Sequence, residues 1–311
     1  MKAVLPALAR PLLEPHLPAD LAVHWFTSRE DAEAAIGDAD IGWVDLQSAV
    51  DSAAIAARGE RLRWLFTLRA GIDDYDLAQL AARGTVLTNG TGINAVAVAE
   101  YAVLGILAAA KRYDEVVRLA DRQAWPTAAP GTTELAGSSA LIVGYGTIGR
   151  LIGARLAAFD VAVTGVTRSG RDGSLRPDAW KSRLGAFDWV ILAAPSTAET
   201  EALVGAAEFM AMKPSAWLVN IARGGMVDQP ALIEALAKRR IAGAFLDTVD
   251  PEPLPPGDPL WTAPNTLHSM HLSGRSQSRM FQRAAALFLE NFAAFQRGEA
   301  MRNVVDPQRG Y

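Results

Sequence analysis

Ala140-Leu141-Ile142-Val143-Gly144-Tyr145-Gly146-Thr147-Ile148-Gly149 decides how this chain folds. A short apolar run enters glycines at the spacing G-x-G-x-x-G, and a helix-like stretch, Arg150 to Phe159, follows. The glycine pattern is weak by itself. Between a strand and a helix it predicts a dinucleotide site. Gly144 permits the tight turn, Gly146 lets the backbone approach a pyrophosphate, and Gly149 lets helix and strand pack closely. The helix N-terminus would offer free N–H groups to the phosphates, which makes Gly144, Tyr145, Gly146, Thr147, Ile148 and Gly149 the candidate cofactor-binding residues.

Working outward, the apolar runs Leu141–Val143, Val161–Val166, Trp189–Ala193, Trp217–Asn220, Gly243–Leu246 and Thr266–Met270 are expected as strands. Helical segments such as Pro230–Arg239 lie between them, which fits a doubly wound parallel sheet. The first ninety-odd residues repeat the alternation. Strands are expected at Leu21–Phe26, Ile41–Val44, Leu62–Leu68 and Thr85–Thr88, with helices at Arg29–Ile36 and Tyr75–Arg83. Ala95–Arg112 forms a long helix, apolar nearly all round, suited to a buried or interface position. Ser278–Gly298 is one amphipathic helix with Phe281, Ala285, Phe288, Phe292 and Phe295 among its apolar positions. The fold class is therefore α/β, with two Rossmann-like domains built on parallel sheets.

The totals narrow the function. The chain has 311 residues, half of them hydrophobic, and a formal net charge of −4 with no basic run. Nucleic acid and anionic membranes are poor partners for such a surface. There is no cysteine, which excludes thiolate chemistry and disulfides. The four histidines show no metal-ligand spacing, so no metal is expected. Pro6, Pro11, Pro15 and Pro18 interrupt the N-terminal apolar stretches, unlike a signal peptide, and a cytoplasmic location is the default.

Several segments carry chemistry. At the end of the second cofactor-domain strand, no carboxylate lies between Asp160 and Asp172 to bind a ribose 2′-hydroxyl. Thr167, Arg168 and Ser169 stand there instead, and arginine matches phosphate oxygens bidentately. NADP(H) is thus favoured, with NAD(H) the alternative if Arg168 is only a solvated loop residue. Asn220-Ile221-Ala222-Arg223-Gly224-Gly225 delivers Arg223 to a strand's C-terminal end, where open α/β sheets bind ligands. By position alone, Arg223 is either a substrate clamp or an ordinary ion pair capping the sheet. Leu246-Asp247-Thr248-Val249-Asp250-Pro251-Glu252-Pro253-Leu254-Pro255 clusters carboxylates in a proline-rich turn, one of which could orient a histidine. A solvated acidic loop is the competing reading. His271 lies nearer the end of its strand than His268, and histidine titrates close to working pH.

These segments, in this order, resemble the D-isomer-specific 2-hydroxyacid dehydrogenase family. Arg69-Ala70-Gly71-Ile72-Asp73 is similar to that family's substrate loop, and Asn94 to Glu100 to the start of its long interdomain helix. The resemblance implies Arg223, Glu252 and His271 as the catalytic set. Ala70 and Gly71 would hold the substrate carboxylate by their backbone, and Asp247 would contact the nicotinamide side. It further implies a discontinuous catalytic domain, 1–94 with 280–311, around a cofactor domain at 95–279. A homodimer with Ala95–Arg112 in its interface is also implied. The expected activity is reduction of a small 2-oxo acid, with Glu252 favouring the protonated form of His271. Arg168-Ser169 resembles the NADPH-preferring glyoxylate and hydroxypyruvate reductases of the family. Met270 stands where relatives commonly have proline, which puts the local backbone in question, and Arg69 replaces a small or apolar residue. The alternatives are a nucleotide-sensing co-regulator without turnover and a formate-dehydrogenase-like oxidase, the latter opposed by Glu252.

Overall fold

The computed structural model describes residues 1–275 and 277–308. The chain divides into two compact units, Met1–Asn94 with Gln277–Tyr311, and Ala95–Ser276. Of the segments expected from sequence, Ser276 and 309–311 lie outside the described residues.

The first unit is a parallel sheet of β1 (Lys2–Pro6), β2 (Ala22–Phe26), β3 (Ile41–Trp43), β4 (Trp64–Phe66) and β5 (Val86–Thr88), in the order β2-β1-β3-β4-β5. The inner strands β1, β3 and β4 are short and buried on both faces, as parallel strands are when helices cover them, whereas the edge strand β2 is mostly half-buried. On one face Trp43, Trp64 and Phe66 surround Phe288 of the helix Met280–Arg297, with ring centroids 4.9–5.6 Å from it. On the other, Ile36, Ile55, Leu65 and Leu80 form the core. The chain's late residues then seal the β5 edge. Val305 N donates to Leu87 O at 2.9 Å, and the Asn303 amide donates to Asn89 O and Thr91 O.

Several elements of this unit were not expected from sequence. β1, an inner strand between β2 and β3, has Ala3, Val4 and Leu5 fully buried. The prolines after it do not break regular structure. Pro11 and Pro15 occupy the first turns of short helices, where the missing N–H costs nothing. The helix Ala49–Ala57 was also missed, although Ser48 caps it by accepting from Asp51 N at 3.2 Å.

The second unit is a parallel sheet of β6 (Ser139–Val143), β7 (Ala162–Val166), β8 (Trp189–Leu192), β9 (Trp217–Asn220), β10 (Gly243–Leu246) and β11 (Thr266–His268). The order β11-β10-β9-β8-β6-β7 reverses direction of growth beside β6, which makes the end of β6 a topological switch point. Residues of β6 alternate between two cores, Leu141 and Val143 on one side, Ala140 and Ile142 on the other. The long helix Ala95–Lys111 covers the second side, and a Cβ at Gly105 would lie 2.5 Å from the Phe245 ring.

Two strands were read clearly too long, β4, which is Trp64–Phe66 within the expected Leu62–Leu68, and β11. β11 ends at His268, not at Met270. Met270 and His271 both take φ of +53°, which no strand contains. The contacts that hold this reversal belong to the site.

Candidate active site

The glycine turn fits a dinucleotide on structural grounds. Gly144 has φ +95°, and a Cβ there would meet Ala194 N at 2.3 Å. A Cβ on Gly149 would meet Gly144 O at 2.4 Å. Gly146, by contrast, faces open space. No side chain caps the helix Thr147–Ala157 that starts after it. Its first N–H groups are therefore left for an incoming acceptor, as a pyrophosphate is. At the end of β7 the Thr167 hydroxyl accepts from Gly170 N and pairs with Ser174 Oγ at 2.7 Å, so it shapes the turn. Arg168 and Ser169 are exposed beyond it, with Arg168 Nη2 3.4 Å from Glu199 Oε2.

β9, β10 and β11 are neighbours in the sheet, and Arg223, Glu252 and His271 follow their C-terminal ends in turn. Asn220, fully buried, fixes the first of these loops: its amide donates to Arg223 O at 2.9 Å and its oxygen accepts from Ala222 N. Gly224 packs so closely that a Cβ would lie 2.0 Å from the Val249 carbonyl. The arginine segment therefore lies directly against the acidic loop. Arg223 Nη1 donates to Ala222 O at 2.8 Å.

In the acidic loop Glu252 Oε1 accepts from Val249 N at 3.1 Å, and Oε2 meets His271 Nδ1 at 2.6 Å. Burial pushes the Glu252 carboxyl upward, but His271, the Val249 N–H and the Arg223 charge together hold it below the ordinary glutamate value. A carboxylate on Nδ1 fixes the imidazole's tautomer and directs Nε2 to a reacting group. His268 is a different case. Its Nε2–H donates to Leu260 O at 3.2 Å, its ring lies 5.0 Å from that of Trp261, and burial lowers its pKa.

Asp247 explains the turn that carries His271. It is only 2% exposed. Oδ1 accepts from Ser269 Oγ at 2.7 Å, Leu272 N at 3.1 Å and Ser273 N at 3.2 Å. Oδ2 accepts from Ser273 Oγ, and the Asp247 carbonyl accepts from His271 N at 2.6 Å. Left-handed backbone at a non-glycine residue costs roughly 1–3 kcal/mol. Here Met270 and His271 bear it together, held by that one aspartate. Ser269 and Ser273 were not singled out from sequence, where they look like ordinary loop residues.

In the first unit, Ala70 and Gly71 follow β4. Asn89 Nδ2 donates to Ala70 O at 3.0 Å and Gly90 N to Arg69 O at 2.8 Å. Among the described residues, the Ala70 and Gly71 N–H groups donate to no acceptor.

Sheet order, glycine turn and strand-end loops define a doubly wound, dinucleotide-binding α/β protein. Residues 103–273 match the family model described as D-isomer specific 2-hydroxyacid dehydrogenase, NAD binding domain. The glyoxylate reductase of Korarchaeum cryptofilum is 32% identical over 263 residues, 80% of this chain and 77% of that protein. A D-isomer specific 2-hydroxyacid dehydrogenase family protein from Aeromonas salmonicida superposes with a TM-score of 0.87 at 28% identity, covering 98% and 99% of the two chains. The NADPH-dependent glyoxylate/hydroxypyruvate reductase of Sinorhizobium meliloti, solved with NADP and malonate, gives 0.76 at 26% identity, with 99% and 97% covered.

The chain belongs to the D-isomer-specific 2-hydroxyacid dehydrogenase family. It is an NAD(P)-dependent 2-oxoacid reductase with a nicotinamide cofactor. Among the described residues no helix is long and apolar enough to cross a membrane, and no group of three or more His, Cys, Asp or Glu could hold a metal ion.

Proposed function

We propose that this protein reduces glyoxylate, hydroxypyruvate or a similarly small 2-oxo acid to the D-2-hydroxy acid, drawing preferentially on NADPH. The observation that carries the proposal is the 2.6 Å contact between His271 Nδ1 and Glu252 Oε2, beside Arg223. The unit Ala95–Ser276 serves as the cofactor domain, with Gly144–Gly149 receiving the pyrophosphate and Thr167, Arg168 and Ser169 the adenosine ribose end. The other unit is the substrate domain, whose Ala70 and Gly71 N–H groups donate to the carboxylate. The bound nicotinamide supplies the hydride.

The side chains do the rest. Arg223 offers a planar fork of donors to the substrate carboxylate and the adjacent oxo group, and polarises that carbonyl. Protonated His271 donates from Nε2 to the carbonyl oxygen as negative charge develops there. Glu252, ionised, holds the ring in place and stabilises the imidazolium throughout. In the reverse direction neutral His271 removes the hydroxyl proton.

The NADPH preference rests on Arg168 and on the absence of a carboxylate between Asp160 and Asp172. The named relative from Sinorhizobium meliloti, which binds NADP, agrees with it. A homodimer is proposed as well, through the face where Leu104, Tyr113, Val116 and Val117 are exposed. Helix Tyr113–Asp121 buries none of its residues, although one side of it is apolar.

The test is NADPH and NADH oxidation, followed side by side, with glyoxylate, hydroxypyruvate, pyruvate and a bulky 2-oxo acid, for the parent and His271→Ala. Turnover favouring NADPH and abolished by the substitution, at unchanged NADPH affinity, is expected. Cofactor binding without turnover of any 2-oxo acid would instead indicate a nucleotide sensor.

A further inference from the structure

The first unit contains a buried carboxylate that hydride and proton transfer do not use. Asp45 follows β3, and its side chain is 5% exposed. Its Oδ2 accepts from Leu68 N at 2.6 Å and Trp43 Nε1 at 2.9 Å, and its Oδ1 accepts from the Thr67 hydroxyl at 2.7 Å. The same hydroxyl accepts from Arg69 N at 3.2 Å. Thr67, Leu68 and Arg69 are the residues that lead from β4 into Ala70–Gly71. The carboxylate thus fastens the whole approach to that turn.

Arg69 fastens it from the other side. Its Nη2 donates to Leu46 O and to Gln47 O, both at 2.7 Å. Its Nε is buried without a hydrogen-bond partner and lies 3.9 Å from Asp45 Oδ1. A guanidinium held this way opposes the buried anion and ties the loop after β3 to the loop after β4. The Ala70 and Arg69 carbonyls are fixed in turn by Asn89 and Gly90, as described above. With carbonyls and side chains anchored, the unpaired N–H groups of Ala70 and Gly71 stand in one orientation. Two successive fixed N–H groups make a small anion cradle. Burial pushes the Asp45 carboxyl upward, against its hydrogen bonds and the Arg69 charge, and the Tyr75 phenol beside them is pushed upward too.

We propose that Asp45 and Arg69 are positioning residues for the Ala70–Gly71 turn, setting this enzyme's affinity for the carboxylate of its substrate. Arg69 acts by holding two loops together and by cancelling the Asp45 charge where an anion must land. The proposal rests on the functional reading above, in which that turn receives the 2-oxo acid.

The experiment measures kcat and KM for glyoxylate, NADPH affinity by fluorescence titration, and Tm, in the parent, Thr67→Val, Arg69→Met and Asp45→Asn. Thr67→Val keeps the side chain's shape and removes only the hydroxyl. Arg69→Met leaves Asp45 without its opposing charge. KM is expected to rise about tenfold in each, the equivalent of ~1.4 kcal/mol. kcat stays within about twofold, because binding common to ground and transition state is what has been lost. NADPH affinity is unchanged. If Asp45→Asn fails to fold, the other two variants decide the matter. Unchanged KM in folded Thr67→Val and Arg69→Met, or a fall in kcat at constant KM, overturns the proposal while leaving the reductase intact. A parent inactive toward every 2-oxo acid overturns the functional reading, and this proposal with it.

Discussion

Asp247→Asn removes no volume and one charge, yet it is expected to disable the enzyme. The aspartate's two oxygens accept from Ser269 Oγ, Leu272 N, Ser273 N and Ser273 Oγ. An asparagine presents one acceptor oxygen and an NH2 group that points a donor at donors. Some of these hydrogen bonds then go unmade, and an unsatisfied buried group costs ~1–3 kcal/mol. The loop also holds Met270 and His271 at φ +53°, a conformation that relaxes once its anchor weakens. A net loss of about 3 kcal/mol in placing His271 corresponds to ~100-fold in kcat/KM. The assay is steady-state reduction of glyoxylate across pH, with NADPH affinity measured separately by fluorescence. Loss should fall on kcat, with cofactor affinity largely kept and Ser269→Ala and Ser273→Ala each showing a smaller version. Activity within threefold of the parent would refute the reasoning. A defect confined to NADPH binding would return Asp247 to direct contact with the nicotinamide.

Other outcomes follow from the same structure. Met270→Pro should abolish turnover and lower Tm, because proline holds φ near −65° ± 15° and cannot reach +53°; Met270→Asn, which tolerates left-handed backbone, should keep activity, and an active proline variant would show that the turn is wrongly described. Gly105→Val should destabilise the second unit by about 1–3 kcal/mol in urea unfolding, since the Phe245 ring occupies the space a Cβ needs; a neutral effect would mean that the helix shifts freely. For Glu252 the folded-state carboxyl lies below its ordinary value of 4.5, so its pairing contributes stability above that pH and loses it as pH falls through the depressed value. The Tm advantage of the parent over Glu252→Gln should accordingly shrink below pH 4.5, and an advantage that grew toward acid would contradict the ion pair.

β9 and β10 were legible in the sequence to the residue, because each is a largely apolar run buried on both faces. The glycine turn was legible for the same reason, since its constraint is local. β1 was not, because prolines downstream read as breaks when they in fact begin helices. The loop from Ser269 to Ser273 was not legible either. Its left-handed residues are decided by Asp247, more than twenty positions earlier, and no local pattern announces that. The sequence singled out Arg223 and His271 by type and by strand end but left Glu252 as one carboxylate among several in its turn; the family resemblance selected it and gave all three their roles. The 2.6 Å histidine–glutamate contact agrees with one such pairing. Asp45 escaped because a lone aspartate after a short strand looks solvated until its three donors are seen.

Phe288 stacks against Trp43 and Trp64, and Asn303 and Val305 close the rim of β5, so the amino-terminal sheet is completed by residues two hundred positions away. During synthesis, everything from Ala95 to Ser276 leaves the ribosome before those residues do. The middle of the polypeptide can consequently finish folding while the portion made first still waits with its tryptophans uncovered. A nascent chain halted just after Arg275 should resist protease in its centre and be cut readily near its beginning. Those tryptophans thus stay open to aggregation until the segment that carries Phe288 has emerged.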